Sequence, residues 1–164
     1  MIRIGIVGAG AIASVHIDSY KRYPDRCQVT AVCDSFGQKA EALTAEKALE
    51  AVAYESYEKM LDDSGIDAVS ICLPPGLHCP IAVLALKAGK HALVEKPMAS
   101  SLEECDRMIE ASREGGRILS VVSQNRYKTP IAKLKRMVDE GDIGKVVYAS
   151  FDSLWWRSEL YYLL

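Results

Sequence analysis

What is scarce in these 164 residues narrows the field first. No block of one charge stands out: 20 Lys and Arg are set against 22 Asp and Glu, for a net charge of −2. The basic footprint of a nucleic-acid binder is therefore missing, and no nucleic-acid partner is expected. Apolar runs are no longer than a strand, which excludes a transmembrane helix and predicts no membrane association. The N-terminal stretch carries one Arg and then turns at glycine, unlike a signal peptide. Histidine occurs only 3 times, and Cys27, Cys33, Cys72, Cys79 and Cys105 make an odd set of 5 with no C-x-x-C pair. Neither residue type clusters at zinc-ligand spacing, so no metal site is expected. A reduced, cytoplasmic protein is the simplest reading of such cysteines. There is no low-complexity linker and no internal repeat.

What is present points to a packed fold. Hydrophobic residues make up 49% and charged ones 26%, which suits a globular core and not disorder. The length fits one ordinary domain and is short for two. Short apolar runs alternate with helical patterns. Ile2–Val7, Val29–Cys33, Val52–Tyr54, Ala68–Leu73, His91–Val94 and Ile118–Val122 read as strands. Ala11–Arg22, Phe36–Leu49, Tyr57–Asp62, Pro80–Lys87 and Leu102–Arg113 read as helices. Several strands lack period-2 alternation, as parallel strands covered on both faces do. The order predicts an α/β fold, a doubly wound parallel Rossmann sheet, over residues 1–122. After Ser123 the rhythm changes: a helix is predicted over Pro130–Asp139 and a strand over Lys145–Phe151. Residues 123–164 read as the incomplete start of a second α/β domain.

The first strand runs into Gly8-Ala9-Gly10-Ala11-Ile12-Ala13. This fits G-x-G-x-x-G/A, the dinucleotide-binding fingerprint. Gly8 permits a tight turn, Gly10 lets a pyrophosphate approach the backbone, and Ala13 lets the helix sit close on the sheet. The helix N-terminus offers free N–H groups to phosphates. Its dipole adds only ~0.3–1 kcal/mol per exposed charge, so hydrogen bonds and adenosine burial must supply most of the affinity. The bare string is weak, and a tight turn without ligand is the alternative. Context strengthens it. Asp34 ends the second strand 21 residues beyond Ala13, where a ribose-binding acid is expected at ~20. A carboxylate there accepts from ribose hydroxyls and repels a 2′-phosphate, favouring NAD over NADP. Lys39, close by, is the one residue that speaks for NADP. No G-K-[ST] follows, which disfavours a P-loop.

A second set of motifs is more specific. Pro74-Pro75-Gly76-Leu77-His78, Ala88-Gly89-Lys90-His91 and Glu95-Lys96-Pro97 follow one another, with Gln124-Asn125-Arg126 beyond. Together with the glycine loop they resemble the Gfo/Idh/MocA oxidoreductases, the family of glucose–fructose oxidoreductase and inositol dehydrogenase. The resemblance spans essentially the whole chain. It implies NAD held by Gly8, Ala9, Gly10, Ala11, Ile12, Asp34, Leu73, Pro74, Pro75, His78, Glu95, Lys96 and Asn125. It makes Lys96 the catalytic residue, beside the nicotinamide and on the substrate oxygen. Glu95 would orient Lys96 or the nicotinamide ribose. Pro97 holds the residue before it in extended geometry. Many relatives carry Asn where Pro75 stands here, so an amide contact is lost. His78 is either a neighbour of the nicotinamide ribose or a packed histidine. His16 and His91 read as structural. Arg126 reads equally as a substrate contact or a solvated side chain. Trp155, Trp156, Tyr161 and Tyr162 suit packing better than a substrate pocket.

Family members run to roughly double this length. The second domain brings a large antiparallel sheet, most substrate contacts and a further catalytic His, and no His follows His91. The resemblance therefore implies the NAD-binding portion of an oxidoreductase acting on a small-molecule sugar-like or polyol hydroxyl, truncated and inactive alone. A non-catalytic NAD-binding sensor or regulator is the alternative from another class. A Rossmann methyltransferase is a weaker one, disfavoured by Glu95-Lys96-Pro97. The unpartnered strand at Lys145–Phe151 and the apolar tail predict either a disordered tail or a homo-oligomer paired through these segments.

Overall fold

The computed structural model describes residues 1–62, 65–152 and 154–159. Its first compact unit runs from Met1 to Val122 and its second from Ser123 to Leu164. The first unit alternates six strands with five helices. The strands are β1 (Ile2–Val7), β2 (Cys27–Cys33), β3 (Val52–Tyr54), β4 (Ala68–Ile71), β5 (His91–Val94) and β6 (Leu119–Val121). The helices are α1 (Ala11–Tyr20), α2 (Gly37–Glu46), α3 (Tyr57–Leu61), α4 (His78–Lys87) and α5 (Leu102–Gly115). All strand pairs are parallel, in the order β3-β2-β1-β4-β5-β6. This is the doubly wound Rossmann order, in which ligands bind beyond the carboxyl ends where β1 and β4 part.

The absence of alternation in the strands has a direct cause: both faces of the sheet are covered. On one face Ile4, Ile6, Val29 and Val32 meet Ala13 and Ile17 of α1 and Ala40 and Leu43 of α2. On the other, Val7, Val69, Ile71 and Val94 meet Met60 of α3, Ala82 and Leu86 of α4 and Met108 of α5. Ile6, Ile17, Ile71 and Leu86 are fully buried, each worth about 1.5–3 kcal/mol on transfer from water. Small residues where helix meets sheet (Ala13, Ala40, Ala82 and Ala85, all at 0% exposure) let the helices approach closely.

Local chemistry sets the boundaries. Ser101 caps α5 by accepting the Glu104 N–H at 3.2 Å, and Glu104 reaches back to the Ser100 N–H at 2.9 Å. This reciprocal arrangement satisfies two otherwise unpaired donors. α1 stops at Tyr20 rather than Arg22, and β2 starts two residues early, at Cys27. α4 begins at His78 rather than Pro80 and follows a 3-10 turn over Pro75–Leu77.

The second unit contains a 3-10 turn, Gln124–Tyr127, and α6 (Thr129–Asp139), which has Pro130 in its first turn. Ile131, Leu134 and Val138 share one face of α6 and are exposed. The strand predicted over Lys145–Phe151 is not formed: these residues are irregular. Their apolar pattern suits a strand, but a strand exists only where a neighbour takes up its N–H and C=O groups, and no described residue pairs with them. Trp155 and Trp156 are exposed, while Tyr161 and Tyr162 lie outside the described residues. Among those residues no helix is long and apolar enough to cross a membrane, and no cluster of His, Cys, Asp and Glu could hold a metal.

Candidate functional site

The chain leaves β1 at Val7 and turns at Gly8, where φ is +92°. A Cβ at Gly8 would lie 2.7 Å from the Cys72 carbonyl oxygen and 2.8 Å from Leu73 Cδ2. Both the dihedral and the space therefore demand glycine. The Gly8 N–H donates to the Cys33 carbonyl at 2.8 Å, tying the loop to the end of β2. Gly10 is the N-cap of α1, with no side chain capping it and no acid in the first turn. Nothing stands within 4 Å of the place a Gly10 Cβ would take. Ala11 and Ile12 follow, both exposed, and no side chain takes up the first-turn N–H groups. That is the geometry an anion needs at a helix N-terminus.

Asp34 stands beside this turn. Its Oδ2 accepts the Ala9 N–H at 2.8 Å and its Oδ1 accepts the Phe36 N–H at 3.0 Å. An ionised carboxylate has about four acceptor sites, so two remain for hydroxyl groups. Gly8, Cys33, Asp34, Leu73, Leu77 and Ile81 line a cavity of about 130 Å³ next to it. Lys39 does not reach Asp34; its Nζ lies 5.0 Å from the centre of the Phe36 ring, a cation–π contact. Burial pushes the Cys33 thiol up to about 11 and the Cys72 thiol up to about 12. Both thiols are therefore neutral and unreactive; Cys33 lines the cavity and Cys72 packs in the core.

Across the crevice, Glu95 follows β5 directly and is only 5% exposed. Its Oε2 accepts the backbone N–H of Lys96 at 3.1 Å, and its Oε1 lies 3.0 Å from His16 Nε2. His16 Nδ1 lies 2.7 Å from Ser70 Oγ, to which the Tyr20 hydroxyl donates at 3.2 Å. Burial, opposed in part by that hydrogen bond, pushes the Tyr20 hydroxyl above its ordinary value. Lys96 itself is exposed, and the Lys96–Pro97 peptide is cis.

Of the two readings open for His78, the structure has the packed one. The ring is fully buried, with Nδ1 2.9 Å from the Pro97 carbonyl and Nε2 2.7 Å from the Leu73 carbonyl. It presents no surface to a ligand and instead bridges the segments after β4 and β5. Pro74 and Pro75 open the 3-10 turn between them, with Pro74 exposed. Gly8–Ile12, Asp34, Leu73–Pro75, Glu95 and Lys96 are thus all gathered at the carboxyl ends of β1, β2, β4 and β5. Asn125 lies in the 3-10 turn of the second unit and is exposed, as is Arg126.

The A-G-K-H segment serves the scaffold. Gly89, at φ +77°, ends α4; Lys90 Nζ donates to the Ile66 carbonyl at 2.8 Å; His91 Nδ1 accepts the Ile118 N–H at 2.9 Å. What sequence reasoning missed is His16. Its ring lies 3.0 Å from the Glu95 carboxylate in space but 79 residues away in the chain, and no local signal joins the two.

A parallel Rossmann sheet with a glycine turn and an uncapped helix N-terminus after β1, and an acid at the end of β2, has the layout of an NAD-binding domain. Residues 2–123 match the Gfo/Idh/MocA oxidoreductase family, described by its NAD-binding Rossmann fold, and the chain belongs to that family. It is 34% identical over 145 residues to inositol 2-dehydrogenase of Salmonella typhimurium, a match covering 88% of this chain and 43% of that one. The WlbA dehydrogenase from Bordetella pertussis, solved with NADH and UDP-GlcNAcA, is 35% identical with a TM-score of 0.83, over 87% of this chain and 43% of that one. The myo-inositol dehydrogenase from Lactobacillus casei, solved with NAD(H) and myo-inositol, is 31% identical with a TM-score of 0.82, over 88% and 43%. The chain therefore spans about two-fifths of the length of these relatives.

Proposed function

We propose that this chain is the cofactor-binding part of a dehydrogenase that moves a hydride between nicotinamide and the hydroxyl-bearing carbon of a sugar-like or cyclic polyol. The observation that carries the reading is the convergence of the Gly10 cradle, Asp34 and Lys96 on one end of the sheet. The N–H groups of Gly10, Ala11 and Ile12 bind the pyrophosphate. Asp34 accepts the adenosine ribose hydroxyls with its two spare acceptor sites and repels a 2′-phosphate. Leu73, Pro74 and Pro75 line the cleft between the cofactor's two ends. A bound nicotinamide supplies hydride transfer at its ring. Lys96 donates a hydrogen bond from its ammonium to the substrate oxygen as that oxygen gains negative character, and holds the proton exchanged there. Glu95 and His78 touch neither partner and act by placing Lys96 and the loops around it. The substrate class rests on the relatives, named for inositol and solved with myo-inositol or a UDP-sugar acid.

The thiols are all unpaired, which suits a reducing, cytoplasmic setting. The exposed apolar side chains of the second unit, Leu134, Val147 and Trp155 among them, form the surface for self-association, which light scattering tests directly.

Calorimetry with NAD⁺ and NADP⁺ tests the cofactor reading. NAD⁺ binds more tightly than NADP⁺, and Asp34→Ala weakens NAD⁺ by about 1.5–3 kcal/mol, the value of hydrogen bonds to a charged acceptor, or roughly 10- to 100-fold. Absence of NAD⁺ binding, or an Asp34→Ala variant that binds as well as the parent, overturns the reading.

A further inference from the structure

We infer that Tyr20, Ser70, His16 and Glu95 form a buried positioning relay that ties Lys96 to the phosphate-binding helix. The inference rests on the proposed placement of Lys96 beside the nicotinamide. Four observations support it. First, donors and acceptors match along the path: the bonds from Tyr20 to Glu95 all point toward the carboxylate, and the Lys96 N–H donates into it from the other side. The Tyr20 hydroxyl donates to Ser70 Oγ, and Ser70 then has its own proton to give to His16 Nδ1, 2.7 Å away. That leaves Nε2–H to donate to Glu95 Oε1 at 3.0 Å, while Glu95 Oε2 takes the Lys96 N–H at 3.1 Å. With a neutral imidazole in its Nε2–H form no donor in this path is wasted and no two acceptors meet.

Second, the path is dry. Ser70 is fully buried, His16 is 9% exposed and Glu95 5%. A carboxylate withdrawn from water is tolerated only when its acceptor sites are used, so Glu95 is held in one orientation. Third, the relay joins three elements: α1 through His16 and Tyr20, β4 through Ser70, and the end of β5 through Glu95. α1 is the same helix whose N-terminus forms the Gly10 cradle. Fixing His16 to Glu95 therefore fixes the place of Lys96 relative to that cradle, and so to both ends of a dinucleotide. Fourth, Lys96 is exposed and draws its placement from its backbone. Glu95 Oε2 holds that backbone through the Lys96 N–H at 3.1 Å.

The experiment uses acetylation of lysines by acetic anhydride, read by peptide mass spectrometry with and without saturating NAD⁺, with Lys128 of the second unit as reference. NAD⁺ shields Lys96 several-fold in the parent protein. Glu95→Gln, His16→Gln, Ser70→Ala and Tyr20→Phe lose that shielding in decreasing order along the relay, while calorimetric NAD⁺ affinity, set by the Gly10 cradle and Asp34, changes little. A merely structural role would lower Tm and leave the shielding ratio unmoved in protein that is still folded. Where His16→Gln or Glu95→Gln fails to fold, Ser70→Ala and Tyr20→Phe carry the test. Shielding equal to the parent in these folded variants overturns the relay and leaves the cofactor reading intact. NAD⁺ binding without shielding in the parent overturns the placement of Lys96 and the relay with it. As a spectroscopic signature, ¹⁵N resonances of His16 report the Nε2–H tautomer; the Nδ1–H tautomer contradicts the stated direction.

Discussion

The two halves of the cleft are built from different materials. The half after β1 and β2 is backbone: a glycine at φ +92°, an open helix N-terminus and one carboxylate pinned by the Ala9 and Phe36 N–H groups. The half after β4 and β5 is side chain: Glu95 on His16, and His78 wedged between two carbonyls. In the proposed function the first recognises a part common to every dinucleotide, which needs N–H groups and room. The second, in the same proposal, aims one flexible lysine, which needs a stiff support. Shape made by backbone is all-or-none, because a Cβ either fits or collides. Support made by side chains is graded, because each bond contributes separately.

The largest effect should come from the backbone half. Gly8→Ala puts a Cβ 2.7 Å from the Cys72 carbonyl oxygen in a positive-φ turn. Strain and overpacking together cost about 2–4 kcal/mol, read as a shift in the urea midpoint. NAD⁺ binding disappears from calorimetry because the loop no longer lies flat under the pyrophosphate. A variant that binds NAD⁺ normally would break the comparison, since the backbone half would then be as forgiving as the other.

A smaller, graded effect belongs to His78→Leu. Leucine fills much of the ring's volume but supplies no N–H to the Leu73 or the Pro97 carbonyl, whichever of the two the ring donates to. An unpaired buried acceptor costs about 1–3 kcal/mol, and a carbonyl with a second lone pair falls toward the low end. Stability drops by about 1 kcal/mol in urea denaturation, and NAD⁺ affinity falls less than in Gly8→Ala. An equal loss of affinity in the two variants would show that the bridge, and not the glycine turn, governs the cleft.

The same contrast explains what was legible in the sequence. The backbone half was readable because its signals are local: Gly8, Gly10 and Ala13 lie within six residues, and Asp34 lies one βαβ unit on. Strand existence was readable too, since Ile2–Val7 and Val29–Cys33 are apolar but for Arg3 and Thr30. The side-chain half depends on contacts between residues 16, 70 and 95, which become neighbours only once the strand order is known. His78 had two open readings for the same reason: the carbonyls that enclose it come from Leu73 and Pro97. Lys145–Phe151 reads as a strand by composition, but strand formation depends on a neighbour, and a sequence window shows only the segment itself.

The smallest effect lies at the opposite end of the sheet, where Arg3 of β1 meets Asp67 just before β4. Asp67 Oδ2 accepts the Arg3 backbone N–H at 2.8 Å and Nε–H at 3.1 Å, and Oδ1 accepts Nη2–H at 2.9 Å. These hydrogen bonds, from the Arg3 side chain first and its backbone second, hold the Asp67 carboxyl well below the usual range. The pair is more than a third exposed on both sides, so solvent screens it and its contribution stays at about 0–1 kcal/mol. Because the folded value is depressed, that contribution is fully present above the ordinary Asp value of about 3.9. It is lost as pH falls through the lower folded value. Asp67→Asn should therefore lower Tm slightly at pH 7, the gap should close in acid, and high salt should narrow it. NAD⁺ affinity should not change, because nothing at this end of the sheet touches the cleft. A loss of affinity in Asp67→Asn would mean that the two ends communicate through β1 and β4, and the division of labour between them would have to be redrawn.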